Sequence, residues 1–242
     1  MIKFFRTIRQ RMLKENRFSR YFLYAIGEMV LVVVGILIAL QINIWNENRK
    51  LERLEVILLQ EMQDNLRADI LDAKGNVKYH EKVITSANII LFCFENDHPP
   101  NDSLNKYYGK VSLVPKFLNI ETAYRSFEKE GLRSIRNDSL RNAIIDYYEQ
   151  TSQFMADWNL ADWDMQFQDY REVSRKFFKK FQVLGEQVPA DYAILSSSQE
   201  YRNFLNNKIG WAAQAIKLYE GQAQSAQALI ELIEEELNAR RK

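Results

Sequence analysis

Few residues in this 242-residue chain are placed to do chemistry. The most unusual is Glu28, the one formal charge between Tyr21 and Ile44 in YFLYAIGEMVLVVVGILIALQINIW. An ionisable group in so apolar a run is costly in lipid and turns toward a partner or toward water. Its carboxyl either hydrogen-bonds across an oligomer, carries protons at an interface with other helices, or reaches the headgroups and an arginine such as Arg20. A second cluster is ADWNLADWD, where Trp158 and Trp163 stand beside Asp157, Asp162 and Asp164. Aromatic faces with nearby carboxylates hold cationic ligands. The same residues also read as a core Trp158 with a solvated acidic face, or as a face answering Arg171, Arg175, Lys176, Lys179 and Lys180 of a neighbouring molecule. His80 and His98 lie far apart with no cysteine beside them, so no zinc pattern results. Neither a P-loop, nor a dinucleotide-binding turn, nor a nucleophile elbow occurs. Cys93, the sole cysteine, sits in IILFCF and reads as a buried, inert thiol. The expectation is a protein with no catalytic residues, no metal ligands and no cofactor, and not an enzyme.

The elements that must position these residues start with the apolar run. At 1.5 Å per residue, Tyr21–Trp45 covers roughly the 30 Å core of a bilayer. Tyr21, Phe22 and Tyr24 precede it and Trp45 follows, as aromatic residues do at headgroup level. It is too long for a signal-peptide core and lacks a small-residue cleavage site, so it reads as an uncleaved signal anchor. Lys3, Arg6, Arg9, Arg11, Lys14, Arg17 and Arg20 face only Glu15 in the first twenty residues. With a net charge of +1 overall, the remainder is therefore acidic. Basic residues before a span mark its cytoplasmic side. The expected layout is a cytoplasmic arm over 1–20, a single span over 21–45 and an extracytoplasmic domain over 46–242, in a bacterial inner membrane. Met1, Phe5, Ile8 and Met12 make the arm amphipathic, suited to the surface of an anionic leaflet or to a plain disordered flank. Lipid, not nucleic acid, is its expected partner.

Within the span, Glu28, Val32, Gly35, Ala39, Ile42 and Asn43 recur three or four apart and share one face. Small residues there let helices approach closely in lipid. The face predicts self-association, or docking of another membrane protein. The segment from Ile2 to Lys50, with AIGE, GILIALQIN and WNE as its specific parts, resembles the start of a bacterial family of short single-span membrane proteins of unknown function. ETAYRSFEKEGLRSIRNDSLRNAIIDYYE is similar to that family's second block, with Glu130 before Gly131 where a small residue is expected. The resemblance implies location and topology. It implies no activity.

The domain beyond the span reads as all-α, an elongated helical bundle with coiled-coil-like packing. No Gly or Pro interrupts the chain between Gly35 and Gly75. Leu51, Leu54, Leu58, Met62, Leu66 and Ile70 form a helical stripe. The first outer helix is expected over about 46–94, with Gly75 and Asn76 as a kink or a tolerated break. Pro99 and Pro100 end it. Residues 104–118 read as a short helix followed by an extended piece. Helices follow over about 120–130, stopped by Gly131, and 138–182, capped by Asn137 or Asp138. The last spans about 199–241, with Ser197 and Glu200 as a capping box. In it Ile209, Ile216, Ala223, Ile230 and Leu237 recur every seven residues, and Ala212, Tyr219, Ala226 and Ile233 fill positions three further on. If this helix packs antiparallel on the first, Arg240, Arg241 and Lys242 return toward the membrane, to touch headgroups or stay solvated.

Together these features predict a membrane-anchored, homo-oligomeric scaffold or sensor-like protein. The alternative is a subunit of a proton- or ion-conducting membrane complex that uses Glu28.

Overall fold

The computed structural model describes residues 18–112, 114–132, 135–179 and 185–240. Among them the fold is all-α, with one antiparallel bridge between Phe178 and Pro189 and no sheet. The chain divides into two compact units, Met1–Leu54 and Glu55–Lys242.

Helix α1, Phe18–Glu95, is 78 residues long and contributes to both. In the first unit its apolar residues are uncovered: Phe22, Met29, Leu31, Val32, Ile36 and Ile42 are each more than half exposed. A water-solvated surface does not carry an apolar patch of that length. A helix satisfies its own backbone groups and can therefore take hydrocarbon as its solvent. The protein is membrane-associated through this segment. At its far end the Arg49 guanidinium lies 5.5 Å over the Trp45 ring, and Lys50 pairs with Glu47 at 2.9 Å.

In the second unit α1 is paired with the last helix. Short helices α2 (Asn105–Lys110), α3 (Thr122–Glu130), α4 (Asp138–Ile145) and α6 (Tyr192–Ser197) connect the longer α5 (Gln153–Phe177) and α7 (Gln199–Ala239). Contacts between α1 and α7 run in opposite order along the two helices. Gln63 Nε2 donates to the Ile230 carbonyl at 3.4 Å, His80 lies 5.8 Å from the Tyr219 ring, and Arg202 reaches the Phe94 carbonyl at 3.3 Å. The pair is antiparallel. Gly75 does not break α1. Its neighbour Asn76 is buried and donates to Asp72 at 3.0 Å and to the Lys116 carbonyl at 3.4 Å.

The caps follow side-chain chemistry. Asn137 Oδ1 accepts from the amides of Ser139 and Leu140 and starts α4. Ser198, rather than Ser197, caps α7 by accepting from the Tyr201 amide at 3.3 Å. Gly131 stops α3 with a φ of 88°, where a Cβ would be strained. Between α4 and α5 the helix widens into a π segment, Asp146–Ser152. The wider turn lets the adjacent Tyr147 and Tyr148 both face inward and be buried. Tyr148 stacks on Tyr124 of α3 at 4.5 Å.

The inward face of α7 keeps Ile230 and Leu237 of the expected heptad buried and differs from it by one position over the preceding turns. Ala212, Tyr219, Ala226 and Ile233 are buried as expected. The row beside them is Lys208, Ala215, Gln222 and Leu229, while Ile209, Ile216 and Ala223 are half-buried. Two polar residues thus hold core positions that a purely apolar pattern assigns to their neighbours. The end of α7 also departs from a lipid-facing or solvated tail. Arg240 grips Glu55 with two bonds of 2.8 and 2.6 Å, and its Nε reaches Glu236 at 2.7 Å. Glu55 is fully buried and also accepts from the Arg136 amide at 3.1 Å. Glu236 is held in turn by Asn137 at 2.7 Å. Arg241 and Lys242 lie outside the described residues.

Breaking a buried pair leaves one charge uncompensated. Arg240→Ala is expected to cost about 3 kcal/mol of unfolding free energy. Lys50→Ala, in an exposed pair, changes it by less than about 0.5 kcal/mol. Chemical denaturation of the full-length protein in detergent checks both; equal effects would remove the Glu55–Arg240 clasp from the account of stability.

Candidate functional site

The intramembrane face is present on α1. Glu28, Val32, Gly35, Ala39, Ile42 and Asn43 fall within about a third of the helix circumference. All six are exposed within the chain, and a Cβ added at Gly35 would meet nothing within 4 Å. The face is open to lipid or to another helix. Of the basic arm, Lys3, Arg6, Arg9, Arg11, Lys14 and Arg17 lie outside the described residues, and Arg20 belongs to the first turn of α1.

The structure separates the residues of ADWNLADWD. Asp157 is exposed, and Trp158 packs beside the cluster of Ala73, Met155, Ala215 and Tyr219. Asp162 is buried, so it belongs to no solvated face and answers no neighbour's lysines. Trp163 is half-buried, stacked on Phe167 at 5.0 Å, with the Lys116 ammonium 4.1 Å over its ring. Lys176 of the basic stretch pairs with Glu200 of the same chain.

Asp162 instead joins a buried polar layer that the sequence pattern does not single out. The Lys208 ammonium donates to Gln166 Oε1 at 2.8 Å, and Gln166 Nε2 donates to Asp162 Oδ2 at 2.6 Å. All three side chains are buried. Burial pushes the Lys208 pKa down to about 8 against the pull of Asp162 and Asp169. Burial raises Asp162, opposed by Gln166 and Lys208. His80 faces the same layer. Burial first, then the Lys208 charge, pushes it down to about 4. One turn away, Asn159 donates to the Tyr219 hydroxyl at 2.8 Å and accepts from the Phe117 amide at 2.9 Å.

A second polar stripe lies along α1 at Asn65, Asp69, Asp72 and Asn76. It binds the extended segment 115–121, a strap laid across α1. Asp72 accepts from the Leu118 amide at 3.0 Å and Asp69 from the Ile120 amide at 3.2 Å. Asn65 donates to the Thr122 hydroxyl at 2.8 Å. This segment has no helix or sheet partners, so carboxylates of α1 satisfy its backbone. The arrangement confines Asp69. Burial above all, then the Asp72 charge, raises its pKa to about 7, although the Ile120 amide pulls the other way. Each of these groups is engaged by another side chain or amide of the fold, which gives the layer a structural use. Among the described residues no group of three or more His, Cys, Asp or Glu is placed to hold a metal ion.

A cleft of about 700 Å³ opens between α1 and α7. Ile70, Ala73, Val77, Tyr219, Ala223 and Ala228 line its floor. Lys74, Lys78 and Glu81 stand on the α1 lip, and Glu220, Gln227 and Glu231 on the α7 lip.

One apolar helix continuing into a helical bundle with a hydrogen-bonded polar layer defines a membrane-associated, all-helical protein. Residues 28–197 match the Family of unknown function (DUF6090), and the chain belongs to that family. The match begins at Glu28 and includes the strap, the π segment and ADWNLADWD. No curated protein and no solved structure matches the chain.

Two outcomes test the buried groups. A carboxyl raised in the fold contributes fully below its unfolded value near 4, and that contribution is lost as pH climbs through about 7. Asp69→Asn keeps an acceptor for Ile120 and removes this loss. Its stability relative to the parent should rise by about 2–4 kcal/mol between pH 4.5 and pH 7.5. Parallel urea profiles at the two pH values would contradict it. Lys208→Met conserves volume but strands Gln166 and Asp162, at a cost of about 1–3 kcal/mol. Replacing Asp162 and Gln166 by leucine as well should recover that loss.

Proposed function

We propose that this protein is a membrane-anchored, homo-oligomeric scaffold or sensor-like protein with no catalytic activity. Its helical domain lies outside the cytoplasm, and the basic arm lies inside. The observation that carries the reading is α1 itself, a single helix from Phe18 to Glu95. The helix that carries the apolar segment is also the helix to which α7, the strap and the clasp attach. The uncovered face of Gly35 and Ala39 supports association through the span. The seven basic residues before the span support the orientation. Titratable groups committed to one another in the core support a role in assembly over one in turnover.

The test is the native mass of the full-length protein in lipid nanodiscs. A multiple of 28.6 kDa is expected. A monomer at physiological density would sink the reading. The orientation is tested separately: protease added to intact spheroplasts should digest the domain beyond residue 46 and spare an N-terminal tag. The second reading, a subunit of a proton- or ion-conducting complex, rests on the placement of Glu28 in an uncovered apolar helix. Glu28→Gln leaves a scaffold's mass unchanged and abolishes conduction in such a complex.

A further inference from the structure

We propose that the cleft between α1 and α7 is the self-association surface of the helical domain, and that its occupant is the same cleft of a second copy. This rests on the reading of the protein as a homo-oligomer and adds the surface and its pairing rule. The floor is apolar: Ile70, Ala73 and Val77 on α1, Tyr219, Ala223 and Ala228 on α7. Its three alanines admit the close approach of another helix. Its lips are charged in opposite senses at the same height. The contacts of His80 with Tyr219 and of Arg67 with Glu234 fix the register of the two helices. They place Lys78 level with Glu220, and Glu81 level with Lys217, which lies outside the cleft lining about one turn from Glu220, to within about one residue. All four side chains are exposed.

Two chains held in one bilayer pass through it with the same polarity. A two-fold axis parallel to α1 and α7 of the helical domain keeps the two copies of α1 parallel within that domain. With the clefts turned toward each other, that operation sets α1 of one copy against α7 of the other. Heights along the axis do not change. Lys78 of one copy then meets Glu220 of the second, and Glu81 meets Lys217, each twice. The alternative of α1 against α1 would oppose lysine to lysine and requires antiparallel chains. The result is a four-helix core whose floor residues face inward and whose flanking charges select the partner, as flanking charges do between paired helices.

The experiment uses full-length protein in nanodiscs, in a Cys93→Ser background. Lys78→Cys and Glu220→Cys chains are co-expressed with different tags and oxidised. A disulfide between the two kinds of chain is expected, well above that between two Lys78→Cys chains. Lys78→Glu should weaken association by about tenfold, and Lys78→Glu with Glu220→Lys should restore it. An oligomer that shows neither the cross-link nor the charge dependence overturns the cleft as the interface while leaving self-association intact. A parent protein that is monomeric overturns both. A cleft occupied by a different protein would show as a cross-link from Glu220→Cys to a chain of another mass, and that too overturns the proposal.

Discussion

The constraint on which the second unit depends is the pair of stripes that α1 buries side by side. Leu58, Met62, Leu66, Ile70 and Ala73 form one, and Asn65, Asp69, Asp72 and Asn76 the other. The apolar stripe needs another helix face and receives α7. The polar stripe cannot be left against hydrocarbon side chains, because each unmet carboxylate or amide would cost as much as several methylenes contribute. It needs donors that no regular element offers on its outside. The extended segment 115–121 has them, since its amides lack secondary-structure partners. An irregular strap and an acidic helix face therefore satisfy each other, and Asn65, Asp69 and Asn76 are buried beneath a half-exposed strap. The clasp at Glu55 repeats the principle with a guanidinium as donor.

This arrangement explains why the core is rich in titratable groups with displaced pKa values. Asp69, Asp162, Lys208 and His80 all depart from their ordinary pKa values, and burial is the first cause in each. Shifts of that origin mark functional sites only when the group faces a space where a reactant fits. Here Gln166 lies between Lys208 and Asp162, and the Ile120 amide holds Asp69. The opposite signs have a consequence. Below neutrality Asp69 favours the folded state as His80 opposes it, so the two partly cancel over the same pH window.

Much of the fold is legible in the sequence because it rests on period and punctuation. The apolar run, the stripe from Leu58 to Ile70, the stop at Pro99, the Asn137 cap and the Gly131 stop all name elements that the structure contains. The polar interior is not legible in the same way. Lys208 and Gln222 occupy core positions of α7, and an apolar pattern slides one residue to Ile209 and Ala223 to avoid them. The signal available was the step from Tyr201 and Leu205 to Ala212, which passes through Lys208 at the right spacing. Asp162 was hidden for the same reason. In ADWNLADWD the tryptophans attract notice as the apolar residues, yet Asp162 is the more deeply buried. The π segment leaves no trace in composition beyond two adjacent tyrosines, and only the stacking of Tyr148 on Tyr124 accounts for both facing inward.

A helix shared between lipid and a polar core carries a further physical consequence. In the first unit, each exposed apolar residue gains from hydrocarbon whichever way the helix is turned about its axis, so lipid alone specifies no rotation. In the second unit, rotation by one residue would carry Asp69 and Asp72 off the strap amides and bring Ile70 and Ala73, or Ala68 and Leu71, against them. The polar stripe therefore fixes the azimuth of α1 far more sharply than the apolar one does.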